Sequence, residues 1–208
     1  MKKVLLFAAF AAFAMTSVNA QDEDSSGFAK SDIYMTGTVG FNSSTTSVTG
    51  LDDADTSDMN LSPTIGYMLT DNIALEAGLS YGTSESFNED FGADSETTTT
   101  SFGIGARWFM NPTDKFSLSV GAGISFGSLT QTTNGSDVEI DGSGMSFAVT
   151  PAINYWISDS FGLVAQIAAL EYSSVNAGNN QNTVEADITS FGLNVDLSDI
   201  NFGMVYKF

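Results

Sequence analysis

Neither cysteine nor histidine occurs among the 208 residues. Their absence removes disulfides, lipid attachment at an N-terminal cysteine, Ser–His and Cys–His nucleophilic pairs, histidine general bases and His/Cys metal sites. Basic residues are nearly as scarce, with six Lys/Arg against 25 Asp/Glu. A nucleic-acid binder needs the opposite balance. Charged residues of both signs make up only 15% of the chain, below the ~25% of ordinary soluble domains. The mixed Lys/Glu coat of a soluble protein is therefore missing. No apolar run reaches the ~20 residues of a membrane-spanning helix, and no 3.6-residue periodicity is sustained anywhere.

The longest apolar run, Val4 to Met15, follows Lys2 and Lys3 and precedes small residues at Val18 and Ala20. That is the layout of a secretory signal peptide with cleavage after Ala20. Removing twenty residues from 208 leaves 188, with four Lys/Arg and a formal charge of −21. The expected organisation is a signal peptide over 1–20, a short acidic linker over 21–30 and one β domain over 31–208.

What recurs after the linker is alternation with period two. The apolar stripes are Ile33, Met35, Val39, Phe41; Leu61, Ile65, Tyr67, Leu69; Ile73, Leu75, Ala77, Leu79, Tyr81; and Phe102, Ile104, Ala106, Trp108. They continue with Phe116, Leu118, Val120, Ala122, Ile124, Phe126; Met145, Phe147, Val149, Ile153, Tyr155; Phe161, Leu163, Ala165, Ile167; and Phe202, Met204, Tyr206, Phe208. These give eight strands. The opposite faces carry Gly, Ser, Thr and Ala, which suit the crowded interior of a narrow closed barrel. Aromatics gather near strand ends (Tyr67, Tyr81, Trp108, Phe116, Phe126, Tyr155, Phe161) as girdles at two membrane–water interfaces do. At ~9–11 residues per membrane strand, the chain suits eight strands and not sixteen.

Connections alternate in length. Thr70 to Asn72, Asn111 to Lys115 and Ser158 to Ser160 read as tight turns. Ser43 to Asp58, Thr83 to Glu96, Gly127 to Gly142 and Ser173 to Glu185 read as long polar outer loops. The expected fold is all-β: a closed antiparallel up-and-down transmembrane barrel with both termini periplasmic. Pro63 and Pro151 fall inside strands, where each removes a ladder hydrogen bond, and a bulge is expected at each. Upstream of the last stripe, Phe191, Leu193, Val195 and Leu197 alternate at odd numbers, whereas Phe202 to Phe208 alternate at even ones. A bulge or break is expected near Ser198 to Asn201, with the preceding residues extending the fourth loop.

The stretch Ser62-Pro63-Thr64-Ile65-Gly66-Tyr67 through Tyr81, and the ending Asn201-Phe202-Gly203-Met204-Val205-Tyr206-Lys207-Phe208, resemble the small outer-membrane β-barrel family. Its members include outer membrane proteins X and W and the barrel of outer membrane protein A. The resemblance covers essentially the whole mature chain. It implies an integral outer-membrane location in contact with lipid. It also implies that Phe202, Met204, Tyr206 and Phe208 form the signal read by the outer-membrane assembly machinery. A cell-wall anchoring role is not implied.

With His and Cys absent and no convergent carboxylate pair, the chain is read as non-enzymatic, without cofactor or bound metal. Glu76 and Arg107 share the lumen-facing parity of neighbouring strands and are expected to pair, as a plugging ion pair or alternatively as a gate or ligand contact. Met68, Phe109 and Trp156 on the same parity are a candidate apolar lining. Asp52, Asp53, Asp55 and Asp58 resemble a calcium loop only loosely; a solvated acidic loop with weak divalent-cation binding is the favoured reading. The expected role is structural or surface contact through acidic loops. The alternative is a narrow conduit for small apolar molecules passing sideways into the membrane, and a soluble lipocalin-type carrier conflicts with the Gly/Ser faces.

Overall fold

The computed structural model describes residues 27–46, 54–88, 93–134, 138–166, 169–180, 185–194 and 201–208. The alternating stripes form antiparallel strands: β1 (Ile33–Thr46), β2 (Ala54–Met68), β3 (Ile73–Asn88), β4 (Ala93–Met110), β5 (Phe116–Thr133) and β6 (Glu139–Trp156). The rest of the sheet comprises β7 (Phe161–Gln166), β8 (Ala169–Asn179), β9 (Glu185–Asn194) and β10 (Asn201–Lys207). Each of β1 to β6 pairs with its successor, β6 pairs with both β7 and β8, and β7 pairs with β10. β10 in turn pairs with β1, Tyr34 facing Lys207 and Gly37 facing Met204, which closes the ring. β7 and β8 are two pieces of the seventh strand, and β9 and β10 two pieces of the eighth. The result is a closed eight-stranded antiparallel barrel.

The outer face is apolar. Ile65, Leu75, Leu79, Phe102, Ile104, Val120 and Met204 are all exposed, as they must be where the solvent is lipid. One aromatic band runs through Tyr67, Trp108, Phe116 and Tyr155 near the short turns. A second runs through Tyr81, Phe126 and Tyr172 toward the other end. The tight turns lie where the sequence puts them. Leu69 N–H donates to Ile73 O and Ile157 N–H to Phe161 O, while Asn111 adopts a φ of 52° to turn the chain into β5.

The four long loops are corrected. The strands run on through most of Ser43 to Asp58, Thr83 to Glu96, Gly127 to Gly142 and Ser173 to Glu185. Thr46 pairs with Ala54, Asn88 with Ala93, Thr132 with Glu139 and Gly178 with Glu185. Beyond the lipid both faces become polar, so the hydrophobic alternation fades while the backbone ladder persists. Thr-rich stretches such as Thr97 to Thr100 favour strands regardless. Side-chain pairs across neighbouring strands support them: Thr100 with Ser128, Ser173 with Ser190, and Thr130 donating to Asp141. An 18-residue strand such as β5 is about 60 Å long at ~3.3 Å per residue. Even strongly tilted, it stands well clear of a ~25 Å apolar band.

The two prolines differ. At Pro151 the ladder with β5 is regular, but on the other side Ala152 faces Gln166 and Val149 faces Leu170. The register between β6 and the seventh strand therefore shifts by one residue across this level. At Pro63 the expected bulge is absent. Leu61 faces Tyr81 and Thr64 faces Gly78 in one register, with only the pairing at positions 62 and 63 interrupted. A missing N–H breaks a rung without requiring an extra residue.

The eighth strand breaks between Asn194, opposite Ala169, and Asn201, opposite Gln166. The register with the seventh strand differs by four residues between these two pairs, and the outward parity passes from Phe191 and Leu193 to Met204. Glu185 to Asn194 are strand, not loop extension as expected.

Candidate functional site: a plugged lumen

Inside the barrel, bulky and small residues alternate around the wall because the register sets them side by side. Tyr34 faces Gly66, which faces Glu76, which faces Gly105; one layer nearer the turn end, Arg107 lies between Ala74 and Gly121, and Trp156 faces Gly162. A Cβ at Gly66 would lie 2.0 Å from Tyr34 Cζ, and one at Gly121 would lie 2.9 Å from Arg107 Nη2. Glycine is required at Gly66, where the Tyr34 ring lies across it, whereas at Gly121 a Cβ would displace only the flexible end of Arg107.

These side chains form one polar chain across the lumen. Tyr34 Oη donates to Glu76 Oε1 at 2.7 Å, and Arg107 Nε donates to the same oxygen at 2.8 Å. Arg107 Nη1 reaches Ser119 Oγ at 3.4 Å, and Asn154 Nδ2 donates to Ser119 Oγ at 3.0 Å. Five strands, β1, β3, β4, β5 and β6, are tied together. The two charged side chains are each only 12% exposed. The structure thus brings Glu76 and Arg107 into contact.

Below this layer, at the end with the short turns, Met68, Phe109 and Trp156 are buried with Tyr34, Ala74 and Val205. They do not line an open path. Phe28, 2% exposed, fills the space between them, its ring centroid 4.6 Å from Tyr34, 4.7 Å from Phe109 and 4.8 Å from Trp156. Of the described part of the expected linker, residues 27–30, Gly27 and Phe28 are therefore buried in the barrel mouth. Above the plug a cavity of about 140 Å³ is lined by Phe28, Tyr34, Glu76, Arg107, Asn154 and Gln166. It shares Thr64, Glu76 and Arg107 with a cavity of about 200 Å³, which shares Ser125 and Ser146 with one of about 250 Å³. The three cavities share lining residues and follow one another from the plug toward the loop end.

A model of the outer membrane protein beta-barrel domain family matches residues 8–208. The chain belongs to that family. Outer membrane protein OprG from Pseudomonas aeruginosa is similar in structure, with a TM-score of 0.53 at 15% identity over 88% of this chain and 98% of that one. So is a major outer membrane protein from Thermus thermophilus, with a TM-score of 0.52 at 9% identity over 86% and 99%. At those identities the likeness is one of fold. No curated protein matches the chain.

For this outer-membrane barrel the remaining sequence-derived positions are distributed as follows. Met204 and Tyr206 lie on β10 and Phe208 just beyond it, its N–H donating to Ile33 O at 3.0 Å. Phe202 pairs with Ala165, its side chain lying outside the described residues, as do Val18, Ala20, Asp52 and Asp53. Asp55 accepts a hydrogen bond from Thr45 Oγ1 at 2.7 Å. Among the described residues no three acidic side chains cluster as a metal site. Sequence reasoning missed Phe28 and Tyr34. Tyr34 had a signal: it is the one aromatic of its strand on the Gly/Thr face. Phe28 had only its isolation as a large apolar residue within a polar segment.

Proposed function

We propose that this barrel is a non-enzymatic structural and surface-contact protein, anchored by its lipid face and acting through the acidic rim that its strands raise outside the cell. The short turns and both termini face the periplasm in this reading. The observation that carries it is the plugged turn end, where Phe28 fills the space between Tyr34, Phe109 and Trp156. What the molecule offers is at the other end, where Asp55, Glu85 and Glu96 line a polar hollow of about 870 Å³ with Ser43, Thr45 and Thr132. An acidic surface of this kind suits weak divalent cations and basic partners. Phe202, Met204, Tyr206 and Phe208 serve as the contact for the assembly machinery. The test is electrical and thermal. In a planar bilayer the complete mature chain shows no resolved open-channel steps, and millimolar calcium or magnesium raises its melting temperature by relieving repulsion at the rim. Steady conductance, or a melting temperature indifferent to either ion, overturns the reading.

A second reading, passage of small apolar molecules from the lumen sideways into the membrane, draws on one observation. Among the described residues, β9 has a strand partner only on its β8 side. Uptake of a small alkane by cells carrying the barrel, above that of cells lacking it, would favour this route over surface contact.

A further inference from the structure

We propose that the N-terminal segment Gly27–Asp32 is a releasable plug of the turn-end mouth, with Phe28 as its stopper and Lys207 of the closing strand as its latch. Tyr34, Phe109 and Trp156 come from β1, β4 and β6, on separate parts of the wall, and a ring in contact with all three must sit near the barrel axis. An eight-stranded barrel is just wide enough for side chains to fill. Here the wall's own side chains leave a gap the size of one phenyl ring, and a residue from outside the barrel ladder fills it.

The segment is fastened by few bonds. Phe28 N–H donates to Pro112 O at 2.8 Å, and Ser31 N–H to Met68 O at 2.9 Å. Ala29 N–H is capped by Asp32 Oδ2 at 2.8 Å, and Lys30 N–H donates to Asp71 Oδ1 at 3.1 Å. Gly27, with a φ of 111°, is pressed so close to the turn that a Cβ would lie 2.0 Å from Pro112 O. The latch joins the two ends of the chain. Lys207 Nζ donates to Gly27 O at 2.6 Å and lies 3.7 Å from Asp32 Oδ2, with the ammonium 5.7 Å from the centre of the Trp156 ring. Lys207 reaches that position only once β10 has paired with β1, so the plug can lock only after the barrel has closed. The segment meets the end of the strand ladder only where Ser31 and Asp32 bond to the Met68 backbone. Residues 27–30 can therefore leave while the wall remains whole.

The experiment uses the full mature protein, whose lack of cysteine permits single-site labelling. Deletion of residues 22–29 should convert a silent barrel into one with resolved conductance steps, and Phe28→Ala should give brief openings. Both should retain the heat-modifiable folded band. Separately, Phe28→Cys should react with a water-soluble maleimide at least tenfold more slowly than Ser158→Cys on an exposed turn, and adding Lys207→Gln should remove most of that protection. A folded deletion variant as silent as the parent overturns the proposal, because the lumen is then sealed elsewhere. Labelling of the Phe28→Cys variant as fast as the Ser158→Cys variant also overturns it, because the segment is then not docked. Conductance by the unaltered chain would instead count against the surface-contact reading above, so the two failures are distinguishable.

Discussion

Replacing Glu76 by Gln isolates what the lumen ion pair contributes, because the amide keeps an oxygen for both donors that now converge on Oε1. Tyr34 Oη and Arg107 Nε retain an acceptor, so the loss is mainly that of opposite charge. Two unit charges about 4 Å apart at an effective dielectric near 20 attract by about 4 kcal/mol. The water-sized space beside the pair, about 140 Å³ on one side and about 200 Å³ on the other, lets solvent screen the stranded guanidinium. The net cost expected is therefore about 2–3 kcal/mol, below the ~3–5 kcal/mol of a fully dry broken pair. Arg107→Gln should cost about as much, and the double variant little more than either alone. The assay is reversible urea unfolding in lipid vesicles, followed by tryptophan fluorescence and heat-modifiable migration. A coupling energy of at least about 1.5 kcal/mol is expected from the double-mutant cycle. Additivity to within about 0.5 kcal/mol would refute the reasoning. It would mean that the lumen water, not the partner, already satisfies each charge.

Three other outcomes follow from the same geometry. Spin labels on single cysteines at Val120, which is 40% exposed, and Ser119, which is 1% exposed, should report lipid contact at the first only, and Val120→Lys should cost ~2–4 kcal/mol near the midplane; equal lipid contact at both would contradict the strand parity. Gly66→Ala should push the Tyr34 ring off the wall, since a Cβ there meets Tyr34 Cζ at 2.0 Å, and unfolding should show a loss of about 1–3 kcal/mol from overpacking. An alanine variant as stable as the parent would mean that the ring does not lie across Gly66. Deleting Phe208, whose N–H closes onto Ile33 O, should lower the amount of assembled barrel in the outer membrane without changing export, and a normal yield of heat-modifiable barrel would exclude a role for it in closure.

The eight-strand barrel was legible because lipid imposes a strict demand: outward residues must be apolar, so period two survives over every membrane segment. The Glu76–Arg107 contact was legible for a related reason, since parity and turn position place both on adjacent strands at similar depth. What parity could not supply was the layer between them. Tyr34 completes the network only because Gly66 lies opposite it, a cross-strand relation that depends on register. Met68, Phe109 and Trp156 form a closed cluster that parity alone does not show, because the residue that unites them, Phe28, precedes the first strand. The loops were overestimated where polar, Thr-rich sequence ceased to alternate, although backbone pairing needs no alternation to continue.

The last strand shows how much a parity change can and cannot say. Odd-numbered apolar residues before Ser198 and even-numbered ones after Asn201 forced a break, and the register jump between Asn194 and Asn201 supplies it. The same argument applied to the seventh strand would have found its own shift. Phe161, Leu163 and Ala165 lead outward at odd numbers, whereas Tyr172 is outward at an even one, paired with Phe147. That shift was hidden because Ala169 and Leu170 are both apolar, so the stripe reads as continuing in either phase. Both irregularities fall at one level of the wall, next to Pro151, where β6 lacks an N–H to offer its neighbour. An interrupted rung in β6 leaves the seventh strand free to gain one residue, and the eighth strand, whose register is set by the seventh, must then adjust in turn. Above that level β9 pairs with β8; below it β10 pairs with β7 and β1. The closing strand is thus split where the proline interrupts the sheet, which leaves β10, the short segment carrying Lys207, to close the ring and hold the plug.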